Sequence, residues 1–381
     1  MTRPAALAKQ GTAKRIGFFT RLLDDAGPAE RYRLALEQIL RAEELGFDSA
    51  WVAQHHFNES EGGLPSPLVF LSHVAARTSR IRLGTGIITL PLEDPLRAAE
   101  DAAVLDLLSG GRLEVGVGTG GTPSAFTAFG LDSDERRGIF ADKLQLLAEA
   151  WGGKELGTST NRLYPAAPQL LERIWQATFS VAGGERAGRA GDGVMLSRTQ
   201  PRSPEKPSAP LDELQNPIID AYLAALPHGA TPRVLASRTL FVADSRAEAL
   251  RFAEAGLRRI VPHFERQGHV FESHGVEGLI TATDSHVGTV DDVVESLARD
   301  SSLQRATDIS FQVHSIDPPH EHILRSIELA ATEVVPRLGW KAAPASVPAQ
   351  QSHPSSKERN EQHSTRRRRH HFGGLPRVAL R

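Results

Sequence analysis

The chain has no cysteine among its 381 residues. Disulfides, thiolate nucleophiles and thiolate metal sites are therefore excluded, and a reducing, cytoplasmic setting is expected. Net charge is also nearly absent: 44 Lys and Arg against 46 Asp and Glu leave a formal charge of -2. No overall field draws such a molecule to nucleic acid or to acidic membranes, so a small molecule is the expected partner. No apolar run approaches the ~18 residues of a membrane span, and Met1 to Gln10 hold no signal-peptide core. HExxH, GxSxG and GxxxxGK[ST] spacings are missing as well, which argues against a zincin-type centre, serine hydrolysis and nucleotide hydrolysis. Fifteen histidines remain, but His320 and His322 lie two apart on a helix and face different sides, and no metal is expected.

What the chain does have is alternation. Arg15 to Thr20, RIGFFT, reads as a first strand, and Glu30 to Leu45 carries apolar residues at helical spacing closed by Gly46. Further strands are expected at Ala50 to Ala53, Ile81 to Leu90, Leu113 to Val117, Ile174 to Ser180, Gly193 to Ser197, Thr239 to Ala243 and Ile309 to His314. Helical patterns fall between them. Eight strands alternating with helices predict an α/β fold, a (β/α)8 TIM barrel of one domain over residues 15–340. Insertions are expected near 198–232, where prolines leave only a modest helix at Asp220 to Leu226, and near 265–288. Residues 1–14 read as a flexible arm. Residues 341–381 are rich in Pro, Ser, Gln and Arg and poor in large apolar side chains, so a disordered tail is expected, with Arg366 to Arg369, His370 and His371 as a solvated basic knot.

In such a barrel the C-terminal strand ends open onto the ligand site. His55 and His56 stand at the end of the second strand, one position for chemistry and one that can equally serve the fold. Gly84 and Gly86 mark places where the third strand bends or admits a ligand. Gly116, Gly118 and Gly121 fit GxGxxG, but a dinucleotide fold wants that motif at its first strand. At the fourth strand it reads better as a strand end kept bare for a flat ligand. Ser180, Gly183 and Gly184 begin a helix after the fifth strand. They make either an ordinary helix cap or, together with the glycine-lined ends of strands three and four, an anion site implying a phosphate-bearing cofactor.

The stretches WVAQHHF, RIRLGTGIITLP, DPLRAAEDAAVLDLLSGGRLEVGVGTG, AGDGVML and GTVDDVVESL, in this order, resemble the bacterial-luciferase-like flavin monooxygenases. The resemblance runs from about Arg15 to Leu338. It implies a (β/α)8 barrel, usually dimeric, that takes FMN reduced by a separate flavin reductase. Reaction with dioxygen then gives a flavin (hydro)peroxide that oxygenates a small organic substrate. The same resemblance leaves open a deazaflavin-dependent dehydrogenase or reductase, and outside catalysis a protein that stores or delivers FMN. By position it implies His55 as the catalytic histidine and Gly86 and Ile87 as a non-prolyl cis peptide under the flavin ring. Ser180 and Gly183, with Val181 and Gly184 beside them, would hold the FMN phosphate. Three departures follow from the same alignment of motifs. Gln54 replaces a glutamate and loses any acid or base role there. Thr119 stands where an arginine meets the phosphate, which makes Arg198 or Arg202 the expected replacement cation. Gly118 stands for a bulkier residue, leaving room near the oxygen-reactive face. An imidazole titrating near neutrality is expected at His55.

Overall fold

Strand β1 (Arg15–Thr20) sets the pattern for the rest: after exposed Arg15 every residue is buried, as suits a parallel strand sheathed by helices. In the computed structural model, which describes residues 12–158 and 160–344, helix α1 (Pro28–Glu44) follows. Pro28 occupies its first turn, where a missing N–H costs nothing. Next come β2 (Ser49–Val52), α2 (Pro67–Ala75), β3 (Arg82–Thr85), β4 (Ile88–Thr89), α3 (Pro95–Leu108) and β5 (Leu113–Gly118). The middle of the chain forms α4 (Pro123–Ala128), α5 (Arg136–Trp151), β6 (Ile174–Ala177), α6 (Val181–Ala190), β7 (Gly193–Leu196) and α7 (Leu211–Ala225). The last part forms β8 (Val234–Val242), α8 (Arg246–Arg266), α9 (Val276–Ala282), β9 (Ser285–Gly288), α10 (Val290–Arg299), α11 (Ser301–Arg305), β10 (Asp308–Gln312) and α12 (His320–Leu329).

The sheet runs β10, β1, β2, β3, β5, β6, β7, β8, and β8 pairs back with β10. Eight parallel strands thus close the expected (β/α)8 barrel. Closure joins distant sequence: Arg15 pairs Asp308 in register, and their side chains meet at 2.7 Å. Two strands are extra. β4 continues beyond the Gly86–Ile87 peptide and pairs β5, while β9 pairs the outer half of β8.

The differences from expectation have local causes. The third strand is broken in two at Gly86–Ile87. The seventh starts at Val234 rather than Thr239, because Arg238 interrupts its apolar run in sequence yet is fully buried, bonded to Asp300 at 2.7 Å and Ser302 at 2.6 Å. Between Arg198 and Pro232 stands the fifteen-residue α7 rather than a modest helix. Its signal is masked by flanking prolines and Pro217, and it forms because α6 offers it a close seat. A Cβ at Gly184 or Gly188 would strike the carbonyls of Ile218 and Tyr222. The stretch His269 to His286 becomes α9 and β9, which cover the extended edge of β8. Of the expected flanks, most of 1–14 and 341–381, including the basic knot, lies outside the described residues. Within the described part, Lys14 is buried, with Nζ on the carbonyls of Gln304 (2.8 Å) and Ala306 (2.5 Å), and it belongs with the barrel rather than with an arm.

The barrel interior is filled by Phe19, Trp51, Ala53, Trp175, Met195 and Leu235. Trp51 meets Trp175 edge to face, with ring centroids 5.9 Å apart, a geometry that aligns the ring quadrupoles. Each indole N–H is satisfied, by Ser49 Oγ at 2.9 Å and Glu114 Oε2 at 2.8 Å. The neighbouring strands make room with glycine: a Cβ at Gly84 would overlap the Trp51 ring, and one at Gly193 the Trp175 ring. Gly84 therefore serves packing rather than ligand approach. Gly84→Ala should cost about 1–3 kcal/mol through overpacking and lower the thermal unfolding midpoint; an unchanged midpoint would contradict this packing account.

Candidate functional site

The strand ends gather their side chains at one mouth. β1 runs out into Arg21, β2 into Gln54 and His55, β5 into Thr119, β6 into Ser180, β7 into Arg198 and β10 into His314. His55 is anchored through its backbone N–H to the Leu64 carbonyl at 3.0 Å. Its Nε2 lies 3.1 Å from Arg21 Nη2. A guanidinium only donates, so Nε2 is the acceptor and the ring proton resides on Nδ1. Nδ1 faces Glu61 Oε2 at 3.7 Å, and the same oxygen accepts from Thr122 Oγ1 at 3.2 Å. Arg21 also donates to the Glu61 carbonyl.

Burial pushes His55 down to about 4, opposed by Glu61 and reinforced by the Arg21 charge. This corrects the expectation of a group titrating near neutrality: His55 is a neutral imidazole there, a hydrogen-bond acceptor and a base rather than an acid. The neighbouring His55 ring, with the Thr122 hydroxyl, holds Glu61 down to about 2, so its carboxylate is ionised. Neighbouring Gln54 has a structural task in place of proton chemistry. Its amide donates to Glu93 at 2.6 Å and to the Pro65 carbonyl at 3.0 Å, and its oxygen accepts from Thr89 N at 2.7 Å. It thereby fixes the chain just past the Gly86–Ile87 peptide, which is cis. His56 turns to Phe129, centroids 5.1 Å apart.

Ser180 caps α6, its Oγ accepting from Gly183 N at 3.1 Å, while Ser180 N donates to Thr178 Oγ1 at 3.1 Å. Gly183 has no space for a Cβ beside Thr178. Val181, at the first turn, is half exposed, and the helix start faces open space. Gln200 leans on this corner, its amide donating to the Phe179 carbonyl at 3.2 Å, and its own buried oxygen has no partner.

Several expected contributions fall elsewhere. Gly184 is buried under Ile218 of α7, and its missing side chain serves helix packing. The space beside Gly118 is filled by the Ile87 side chain, so no room is left there. Arg202 is committed to Asp284 at 2.5 Å and to the Gln200 carbonyl at 2.7 Å. Arg198 is turned toward β8 and α8, its Nη1 3.4 Å from Thr239 Oγ1 and its guanidinium over the Phe264 ring. The hydrogen bonds and ion pairs of these two arginines do not reach Ser180 itself; Thr119, half buried, adds no charge there. Sequence reasoning missed Arg21, Glu61, His314 and Asp317. The first and third follow strand ends directly, the signal by which His55 was found. Among the described residues no cluster of three metal-ligating side chains occurs, and no helix is long and apolar enough to cross a membrane.

A parallel barrel with imidazole, carboxylate and guanidinium groups at its C-terminal mouth is an enzyme architecture. The family model of luciferase-like monooxygenases matches residues 15–302, and the chain belongs to that family. The 4-hydroxyprotoasukamycin monooxygenase of Streptomyces nodosus subsp. asukaensis is 31% identical over 321 residues, spanning 78% of this chain and 84% of its own. The crystal structure of monooxygenase RslO1 from Streptomyces bottropensis superposes with a TM-score of 0.68 at 28% identity, covering 84% of this chain and 99% of its own. An F420-dependent glucose-6-phosphate dehydrogenase of Amycolatopsis mediterranei (strain U-32) is 32% identical over 174 residues, 42% of this chain and 52% of its own. The family thus holds both monooxygenases and deazaflavin enzymes.

The buried imidazoles have a measurable consequence. His55 and His286 are pushed down to about 4 and His314 to about 3, each chiefly by burial, from an ordinary 6.5. Between those values the unfolded chain binds more protons than the folded one, so stability rises with pH across the window. The melting temperature should fall as pH drops from about 7 toward 4. His286→Asn, which keeps a donor toward Ser296, should flatten that dependence; an unaltered slope would show that His286 is not buried neutral.

Proposed function

We propose that the protein is a flavin-dependent monooxygenase that takes FMN reduced by a separate reductase and uses dioxygen to oxygenate a small organic substrate. The observation that carries this reading is the joint presence, at one barrel mouth, of the Arg21–His55–Glu61 cluster and the open N-terminus of α6, in a chain of this family. The residues present fit the cofactor. Ser180 Oγ and the amides of the first turn of α6 ahead of Gly183 suit a phosphate, since the N–H groups at a helix start and the helix dipole favour an anion there, and the small Gly183 keeps the corner open. The unpartnered Gln200 oxygen suits a hydroxyl of the ribityl chain. When bound, the reduced flavin supplies the electrons for oxygen activation; the chain binds, orients and shields it.

For the chain's own part, His55 is the base. Its Nε2 takes a proton once Arg21 yields that position, and Glu61 beside Nδ1 stabilises the imidazolium that forms. The mouth's buried lining limits water near the reacting atoms. The homodimer implied by family resemblance is supported by an exposed apolar face: Val69 on α2 is 73% exposed, and Leu107 and Leu108 on α3 are 61% and 67% exposed.

A second reading, a deazaflavin-dependent oxidoreductase on the same barrel, is favoured by the Amycolatopsis relative. Parallel fluorescence titrations with FMN and the deazaflavin separate the two, and FMN is expected to bind more tightly. Ser180→Ala should weaken FMN roughly ten-fold. His55→Ala should leave that affinity nearly unchanged while slowing turnover by about 100-fold or more. Turnover under labelled dioxygen should deliver one labelled oxygen atom to the product; unlabelled product would refute the oxygenase assignment. Leu107→Glu should give a monomer by light scattering.

A further inference from the structure

Two cations at the mouth lack anionic partners. Arg198 is 5% exposed, and its polar contacts reduce to one long hydrogen bond, 3.4 Å to Thr239 Oγ1. Arg21 spends its Nη2 on His55 and the Glu61 carbonyl, and its buried Nε has no partner. Among the described residues no carboxylate lies within ion-pair distance of either guanidinium, although the chain pairs most of its other arginines. The two are neighbours through β10. Arg21 lines a small opening, about the size of one water, together with Asp24, His314 and Asp317. Arg198 reaches the same strand end through Thr239, whose hydroxyl donates to the His314 carbonyl at 2.7 Å.

The charges also meet electrostatically. Burial pushes Arg21 to about 10 and Arg198 to about 9, the latter further lowered by Arg21 itself. Both stay protonated at neutral pH. Asp317, the acid whose charge acts most on both, is occupied with His314 Nδ1 at 2.9 Å and lies 3.7 Å from Arg259. Glu61 faces His55 and Thr122. Two like charges, one buried and one half-buried, without counterions are costly, and a fold retains them where an anion arrives to offset the cost. A guanidinium matches the two oxygens of a carboxylate in geometry as well as charge.

We propose that Arg21 and Arg198 together recognise an anionic oxygen group, a carboxylate or enolate, carried by the substrate. The proposal deepens the monooxygenase reading and rests on it for the word substrate. It also gives that reading a trigger. An anion drawing Arg21 away frees His55 Nε2, so the base becomes available only when substrate is bound.

The same chemistry resides in the flavin, in its phosphate and its reduced ring, and the test separates the sources. Acetate and benzoate, with acetamide and benzamide as neutral counterparts, are titrated at constant ionic strength into the full-length protein, with and without FMN, by calorimetry. The carboxylates should bind at least about ten-fold more tightly than the amides, and Arg21→Gln and Arg198→Gln should each weaken benzoate about ten-fold while FMN affinity holds within about two-fold. Arg198→Lys should retain part of the affinity, which keeps the test alive if Arg198→Gln does not fold. Absent carboxylate binding, equal binding of the amides, or variants that bind benzoate unchanged would overturn the proposal. FMN affinity falling in step with benzoate would overturn it too, giving the arginines to the cofactor. Wild-type protein that binds benzoate but not FMN would sink the flavin reading while leaving the anion site standing.

Discussion

The closure of β8 onto β10 and β10 onto β1 is the constraint on which the site depends. Arg15 and Asp308 are sequence strangers held in one register, and that register aligns the two ends of the strand series. Inside, Trp51 against Trp175 fills the space that eight short strands enclose, with Gly84 and Gly193 yielding volume to the rings. A filled interior is stiff, because close-packed side chains transmit displacement rather than absorb it. The loops at the C-terminal rim can therefore vary while the residues at the strand ends keep their separations.

Above that plug the barrel mouth is partly buried and rich in charge. Low local dielectric acts in two directions there. It keeps His55 and His314 neutral, because burying an imidazolium is expensive. It also leaves Arg21 and Arg198 charged and uncompensated, because a guanidinium gives up its proton only at far higher pH. The result is a pocket in which charges of both signs sit apart, with Glu61 beside His55 and Asp317 beside His314 rather than against Arg21 or Arg198. The contrast with Arg238 is instructive. It is equally buried but fully answered by Asp300, Gln215 and Ser302, and it is structural.

How much of this was legible beforehand depended on whether the signal was local. The Ser180 corner could be read because a helix start announces itself within four residues, and His55 because it follows a short apolar strand. Gly184 shows the limit of local signals: its local context is that of a phosphate loop, and only the approach of α7 reveals that its missing side chain also admits Ile218. Arg198 and Arg202 were assigned to the phosphate by proximity in sequence, but a long side chain chooses its partner from what folds around it. Arg202 found Asp284, 82 residues away.

Local residue order was enough for the alternation of strands and helices, and hence the barrel, because apolar spacing and turn residues act over a few residues. It also determined the family and the positions of the helix start and the histidine pair. Tertiary structure alone decided which groups meet. The contacts of Arg21 with His55 and Glu61 span 34 and 40 residues, and whether an arginine is paired or left waiting depends on side chains brought in by barrel closure. No local pattern encodes such distances.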